Sequence, residues 1–548
     1  VEHLETRQKI TIMIAVMASL LFAALNQTIV GTVMPRIVSD LGGIQYFNWV
    51  FTIFMLTASV TTVLVGKLSD IYGRKIFILT GLALFMIGSF LCGTAQTMIQ
   101  LIIWRGLQGF GGGMVMATAF TAVGDLFSPR ERGRWQGLMG AVFGLASVLG
   151  PTLGGYIVDH FDWHWVFWIF LPVGLIAFYL ILRLFPQTPR GEKNRIDYTG
   201  SIFLVLTIVP LLLAFTWAGD RYTWTSWQIL SMIAVSAFSL AAFIWVEKHA
   251  ENPVMPLHLF KNSIFTLSNV INFLIGVAMF GATMYAPFYI QGVKGISAAE
   301  SGVIMMAMTL GMVLASSIVG SLVTKTGKYK KLALGGLLVM GAGMVLLSML
   351  TIETSILLTT IYLIIVGLGL GTAFPIFNLT VQNAVSHRYL GVSTSAIQLF
   401  RQMGGTIGVS IMGTIMISRM DAKIAATPAP PELANNPAAQ TLANINPQVL
   451  LSPDQLAAIR SQLPAGMEAV FDQVLLMLRE AMNAGISSVF IVGGAVITLA
   501  FLCTFFLREI PLRTSNEEPP QEDTGNENQT SDDEQASHRP TEKAGAHH

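Results

Sequence analysis

The stretch GKLSDIYGRK, residues 66–75, separates two long apolar runs, and it returns in weakened form as GSLVTKTGKYKK, residues 320–331. Gly66, Leu68 and Gly73 of the first copy match Gly320, Leu322 and Gly327 of the second in spacing, with basic residues close behind each. Gly66 and Gly73 permit a tight turn at a membrane surface, while Asp70 can accept hydrogen bonds from Arg74 and from an adjacent helix N-terminus. Taken by its charge alone the loop reads as an ordinary basic connection. The repeated glycine spacing argues for more.

Outward from this loop the chain is apolar. Of its 548 residues 53% are hydrophobic and 11% charged, where a soluble domain carries roughly 25% charge. Abundant Phe, Met and Gly suit helices that face lipid and pack closely on one another. A membrane helix needs about 20 mostly apolar residues, and such runs fall near 10–34, 46–65, 76–94, 98–124, 135–158, 164–184, 199–219, 226–246, 264–290, 299–323, 332–350, 355–380, 391–417 and 485–507. The expected fold class is therefore an all-α membrane protein of fourteen spans. The first loop copy follows span two and the second follows span ten, so a six-helix half recurs eight spans later, with an inserted pair between. The expected organisation is an N-terminal half over 1–197, an inserted helix pair over 198–250, a C-terminal half over 251–507 that includes an extracytoplasmic segment at 418–484, and a disordered cytoplasmic tail over 508–548.

Basic residues set the orientation. Twenty-one Lys and Arg fall in the segments that are cytoplasmic if the N-terminus is inside, whereas the short outer loops hold only Arg36, Arg221 and Lys294. Both termini are expected in the cytoplasm. Within 418–484, Ser452, Pro453 and Asp454 read as the start of a helix, and Val470, Leu475, Leu476 and Leu478 suggest a surface helix leading to the last span. The acidic tail lacks periodicity and reads as disordered, its closing His547 and His548 as the stub of a purification tag. Cys92 and Cys503 lie near opposite faces, so no disulfide is expected between them. The net charge of +1 says little about partners. No nucleic-acid partner, metal site or cofactor is expected.

Several polar residues interrupt the spans. RGLQGFGGG, residues 105–113, sets Arg105 and Gln108 one turn apart inside span four, and an intramembrane arginine is a functional candidate by default. Span five carries Gly150, Pro151, Gly154 and Gly155; the proline removes one helical hydrogen bond, and the glycines allow neighbouring helices to pack against the bend. Arg401 lies roughly 15 Å into span thirteen, near the midplane. Asn269, Asn272, Asn378 and Gln398 lie within other spans, where such groups commonly bond a neighbouring helix and can also line an adaptable pocket.

Together these motifs resemble the major facilitator superfamily, and in particular its fourteen-helix drug:proton antiporters. GKLSDIYGRK matches that family's loop nearly in full, which implies a cytoplasmic latch of Gly66, Asp70, Gly73, Arg74 and Asp125. RGLQGFGGG is similar to the family's helix-four motif, which implies that Arg105 takes part in proton coupling. GPTLGG, with Gly150, Pro151, Gly154 and Gly155, is similar to its antiporter signature. LNQTIVGTVMP, residues 25–35, resembles its helix-one motif, with Asn26 where the family usually has Asp. Asn26 and Arg105 lie about 13 Å and about 10 Å from the outer ends of their spans, and so share a depth.

An Asp at position 26 could exchange protons and pair with Arg105 or with a cationic substrate. Asn26 keeps the shape of the protonated acid and cannot release a proton. Two readings stay open: a natural carrier that couples elsewhere or not at all, or an engineered Asp-to-Asn change that holds one protonation state. The resemblance implies a proton-coupled multidrug exporter of the bacterial plasma membrane, for which a monomer suffices. Its partners are small lipophilic, cationic compounds, protons and the bilayer, with Asn26, Gln108, Arg401, Asn272 and Asn378 as candidate substrate contacts. The alternative is an exporter of a specific metabolite, lipid or peptide. No phosphate-binding loop or nucleophile constellation points to an enzyme.

Overall fold

Inside a bilayer a backbone can satisfy its N–H and C=O groups only internally, so the apolar runs fold as helices. The computed structural model describes residues 5–41, 47–186, 197–219, 221–296, 298–427, 450, 453–463 and 467–512, and the regular elements among them are helical. The first part of the chain forms α1 (Thr6–Leu41), α2 (Phe47–Tyr72), α3 (Arg74–Cys92), α4 (Met98–Leu126), α5 (Pro129–His160), a short α6 (Trp165–Trp168) and α7 (Leu171–Leu184). Next come α8 (Tyr198–Trp217) and α9 (Trp227–His249). The remainder forms α10 (Ser263–Phe288), which runs on as a π turn to Val293, then α11 (Ala298–Thr326), α12 (Lys330–Ser348), α13 (Ile356–Ala384), α14 (Leu390–Ala426), α15 (Pro453–Ser461) and α16 (Glu468–Phe505). Polar caps start several of them: Thr97 for α4, Asp197 for α8, Ser226 for α9, Asn262 for α10 and Ser355 for α13 each accept a first-turn N–H, satisfying a donor that the helix leaves open.

Eleven spans among the described residues are long and apolar enough to cross a membrane, α6 and α7 forming one of them together. The rest of the long helices, α4, α5 and α14, carry the glycine-rich and polar motifs. Their outer surfaces suit lipid. On α9, Leu230, Val235, Phe238, Leu240, Ile244 and Trp245 are all exposed, an apolar face far larger than a protein in water tolerates.

The two loop copies occupy matching places. Gly73 between α2 and α3 and Gly327 between α11 and α12 both have positive φ, 91° and 68°, a conformation that disfavours any side chain with a Cβ. The first glycine of each copy is where the halves touch. A Cβ on Gly66 would meet Ser395 Oγ at 2.3 Å and Gly391 O at 2.9 Å, bringing α2 onto α14. A Cβ on Gly320 would meet Gly133 O at 2.3 Å, bringing α11 onto α5. Gly137 and Gly140 continue that seam against Ser316, and Ser316 Oγ donates to Gly137 O at 3.0 Å. The pair α8–α9 covers the other seam: Leu204, Ile208, Leu212 and Phe243 share one apolar cluster with Leu56 and Val63 of α2 and Ala396 and Leu399 of α14.

The segment 418–484 differs from its expected form. Helix α14 continues to Ala426, and α16 starts at Glu468 and runs unbroken for 38 residues. Thus Val470, Leu475, Leu476 and Leu478 belong to the last span's own helix, not to a separate surface helix, and Val470 and Leu478 are buried in the core of the second half. Of the proposed helix start, Ser452 lies outside the described residues, and α15 begins at Pro453. The tail beyond Leu512 also lies outside them.

The seam between α5 and α11 yields a stability prediction. Gly137→Val directs a side chain at Ser316 O, 2.4 Å from an ideal Cβ, and should destabilise the purified protein by about 1–3 kcal/mol. Gly335→Val, at a position with no atom within 4 Å, should leave the thermal unfolding midpoint nearly unchanged. Equal midpoints for the two variants would remove the seam from this account.

Candidate functional site

One group of buried polar side chains lies among α1, α3 and α4, and two further groups join elements from the early and late parts of the chain. In the first, Arg105 on α4 is fully buried. Its Nη1 donates to Asn26 Oδ1 on α1 at 2.9 Å and to Gln108 Oε1 at 2.7 Å, while Nε reaches Val50 O at 3.5 Å. The guanidinium lies 4.4 Å from the centre of the Phe54 ring, adding a cation–π contact. Asn26 Nδ2 donates to Ser89 Oγ at 3.4 Å, and Ser89 Oγ in turn donates to Phe167 O at 2.7 Å. The depth shared by Asn26 and Arg105 thus corresponds to direct contact, and Gln108 joins them.

Charge is unbalanced at this place. Among the described residues no carboxylate pairs with Arg105, and Arg105 Nη2 and Gln108 Nε2 have no hydrogen-bond partner. A buried, uncompensated cation with idle donors is costly, so the site favours an acceptor or an anionic group beside Arg105. Position 26 presents one acceptor to Arg105 and one donor to Ser89, the pattern of an amide or of a protonated acid. A carboxylate there could only accept, and Ser89 would have to turn its hydroxyl away from Phe167 O.

The second group is the segment 66–75 with the end of α4; contrary to the expected turn at both glycines, Gly66 lies within α2 and only Gly73 stands between α2 and α3. Arg74 Nε donates to Asp125 Oδ2 at 2.8 Å, and its Nη1 contacts both Asp70 and Ser69 Oγ. Asp70 accepts the backbone N–H of Gly391 at 3.0 Å and of Val392 at 3.1 Å, at the start of α14, where the helix dipole favours a negative charge. His387, just ahead of α14, lies 3.3 Å from Asp125 Oδ1. Gly66, Asp70, Gly73, Arg74 and Asp125 are therefore assembled at one end of the seam, and Asp70 and Asp125 each reach across to the second half.

The third group surrounds Arg401. Its guanidinium lies 4.3 Å from the centre of the Phe374 ring, and its Nη1 has no partner. Phe374 of α13 packs in turn against Phe120 of α4 and Phe143 of α5, with centroids 5.9 and 6.4 Å apart, so an aromatic cluster bridges the halves beside a cation. Asn272 and Asn378 are not drawn into a common polar site: each directs its Nδ2 to a carbonyl one turn back in its own helix, Ser268 O and Phe374 O. Asn378 Oδ1 stays without a partner. In the antiporter signature, Gly150 admits Thr28 of α1 and Gly154 admits Ile29 and Val33. Pro151 and Gly155 lie within the continuous helix α5, and their side-chain surroundings lie outside the description.

Other bridging contacts had no sequence signal. Ser59 Oγ donates to Gln402 Oε1 at 2.7 Å across the halves, and Gln136 of α5 meets Gln382 of α13 at 3.4 Å. The amide beside Arg401 in FRQMGG is the one hint available for the first. Ser89 and Phe54 had none.

Comparison with known proteins agrees with this architecture. The model of the Major Facilitator Superfamily matches residues 16–409. The chain is 41% identical to Multidrug transporter protein MdtP of Bacillus subtilis, over 92% of this chain and 94% of that protein. It is 37% identical to Multidrug resistance protein 3 of the same species, over 92% and 96%. Among solved structures, the human organic anion transporter MFSD10 superposes with a TM-score of 0.60 at 14% identity, covering 90% of this chain and 99% of that one.

The loop cluster carries its own test. Arg74→Ala leaves Asp70 and Asp125 buried without their cation and should cost about 3–5 kcal/mol, read as a lowered thermal midpoint. Arg74→Lys should cost less but still be measurable, because an ammonium cannot hold both acids with the guanidinium's planar geometry. A midpoint unchanged in Arg74→Ala would show that the cluster does not hold the halves together.

Proposed function

The chain belongs to the Major Facilitator Superfamily, and from that premise we propose a multidrug exporter that rocks its halves about the α2–α14 and α5–α11 seams. It is a multi-pass membrane transporter of small substrates, not an enzyme. The observation that carries the reading is the buried Asn26–Arg105–Gln108 group, which is built to sense a charge at position 26. Support for multidrug efflux comes from the two Bacillus relatives named above.

In this reading α4, α5 and α14 also cross the membrane, giving fourteen spans arranged as six, two and six with both termini cytoplasmic, as the distribution of Lys and Arg favours. The loop 66–75 and Asp125 then latch the cytoplasmic side. Coupling is proton antiport when position 26 is Asp. Protonated, it keeps the hydrogen bonds that Asn26 makes. Deprotonated, it pairs with Arg105 and accepts the Ser89 hydroxyl, which breaks the tie between α3 and the chain at Phe167. Cargo faces the aromatic cluster at Phe374, Phe120 and Phe143, with Arg401 at its edge. The second reading, one specific metabolite, lipid or peptide, draws on the same aromatic and basic groups and no observation favours it.

Two measurements test this. In proteoliposomes the Asn26→Asp variant should show substrate efflux that acidifies or alkalinises the lumen in step with transport and stops when the proton gradient is collapsed, while the chain with Asn26 should move substrate without proton movement. Equal coupling in both would sink the assignment of position 26. Arg401→Ala should change the relative rates for differently charged substrates several-fold more than it changes the proton-linked step.

A further inference from the structure

We propose that Glu247 holds a proton, beside Asp197, where the inserted pair α8–α9 meets the end of α2. Glu247 lies in the last turn of α9 and is 4% exposed. Its Oε1 accepts the N–H of Val254 at 3.0 Å and of Met255 at 3.4 Å. Its Oε2 has no partner. Asp197 caps α8 through Oδ1, which accepts Gly200 N–H at 2.8 Å, and its Oδ2 is likewise without a partner.

The two carboxyl groups flank Gly200. A Cβ placed there would come within 2.4 Å of Asp197 Oδ2 and 3.0 Å of Glu247 Oε1, so no side chain fits between them. Among the described residues no basic group lies within ion-pairing distance of either. The charges that act on Glu247 are Asp197, which repels a second negative charge, and Lys67 of α2, which attracts it. Lys67 is itself attracted by Asp70, repelled by Arg388, and held over the Tyr389 ring at 6.0 Å. Lys248 and His249 on α9 and His258 and Lys261 on the following turn are exposed. A buried Glu247 carboxylate with one oxygen lacking a donor is costly, and the half-buried Asp197 beside it adds repulsion. One proton on Glu247 removes that charge and the repulsion with it.

A small cavity at the same end of the bundle is lined by Asp197, Lys67, Ser201 and Asn252 with Leu64 and Val254. Loss of the proton would draw Lys67 toward Glu247 and Asp197 and away from Asp70. The occupancy of the site is therefore communicated to the loop 66–75. Nothing in this inference depends on the cargo or on the direction of transport.

The test is infrared difference spectroscopy on the full chain in lipid nanodiscs, titrated through neutral pH with and without isotope-labelled Glu. Wild type should show one protonated-carboxyl band that shifts with Glu labelling, disappears in Glu247→Gln and changes frequency in Asp197→Asn. Gln at 247 keeps an acceptor for Val254 and Met255, and Asn at 197 keeps the cap, so both should fold; if Glu247→Gln does not, the frequency change in Asp197→Asn decides alone. A band that is unaltered in both variants overturns the proposal. Displacement of the band by sodium at fixed pH also overturns it, in favour of a metal-cation site.

Discussion

The arrangement depends on the close approach of backbones at two seams. Lipid is as apolar as a leucine face, so no hydrophobic gain drives helices together within it; packing and interhelical hydrogen bonds must do so. Gly66 against Gly391 and Gly133 against Gly320 bring main chains to distances at which an added methyl group has no room. Around the first contact stand Asp70, Arg74 and Asp125, and around the second stands Ser316 donating to Gly137 O. At these contacts no side chain stands between the two main chains, and the large apolar residues of α8 and α9 cover the first of them from the side.

The buried polar group around Arg105 works on a different scale. It is joined to α1 through Asn26 and through Gln108 to its own helix, while Ser89 links Asn26 to the chain at Phe167. One hydroxyl proton, on Ser89, has only two places to go. In the proposed reading a charge at position 26, one hydrogen bond away, decides between them, so that a neutral hydrogen bond of about 1 kcal/mol acts on helix position. In that reading the seam glycines set what can move, and this group sets what moves it.

Much of this could be read in the sequence because it is local. The loop glycines reveal themselves by spacing, and their copies at Gly73 and Gly327 share a positive φ. The meeting of Asn26 and Arg105 follows from a constant rise per residue along two helices that start at opposite faces. Helix ends were less legible: hydropathy falls at Arg419, Asp421 and Lys423 and at Asp472, Arg479 and Glu480, yet α14 and α16 run through these residues. Pairs of neutral amides far apart in sequence, such as Gln136 with Gln382, leave no pattern in one chain. Asn272 and Asn378 look like site residues by residue type and depth, but a helix interior offers each a carbonyl one turn away. Glu247 was hidden differently: it sits at a span's end, where an acid is ordinarily read as solvated.

In the proton-coupled reading proposed above, Asn26 also has an electrical consequence for cationic cargo. With an acid there, return of a proton can offset the charge of an exported monovalent cation. With an amide the carrier moves cationic cargo as net current, and an inside-negative potential opposes its exit by about 2.3 kcal/mol per 100 mV. At equilibrium that corresponds to roughly fiftyfold accumulation on the inside per 100 mV. In that reading the chain with Asn26 moves lipophilic cations only down their electrochemical gradient, and the proton that an Asp would carry is what lets export run against it.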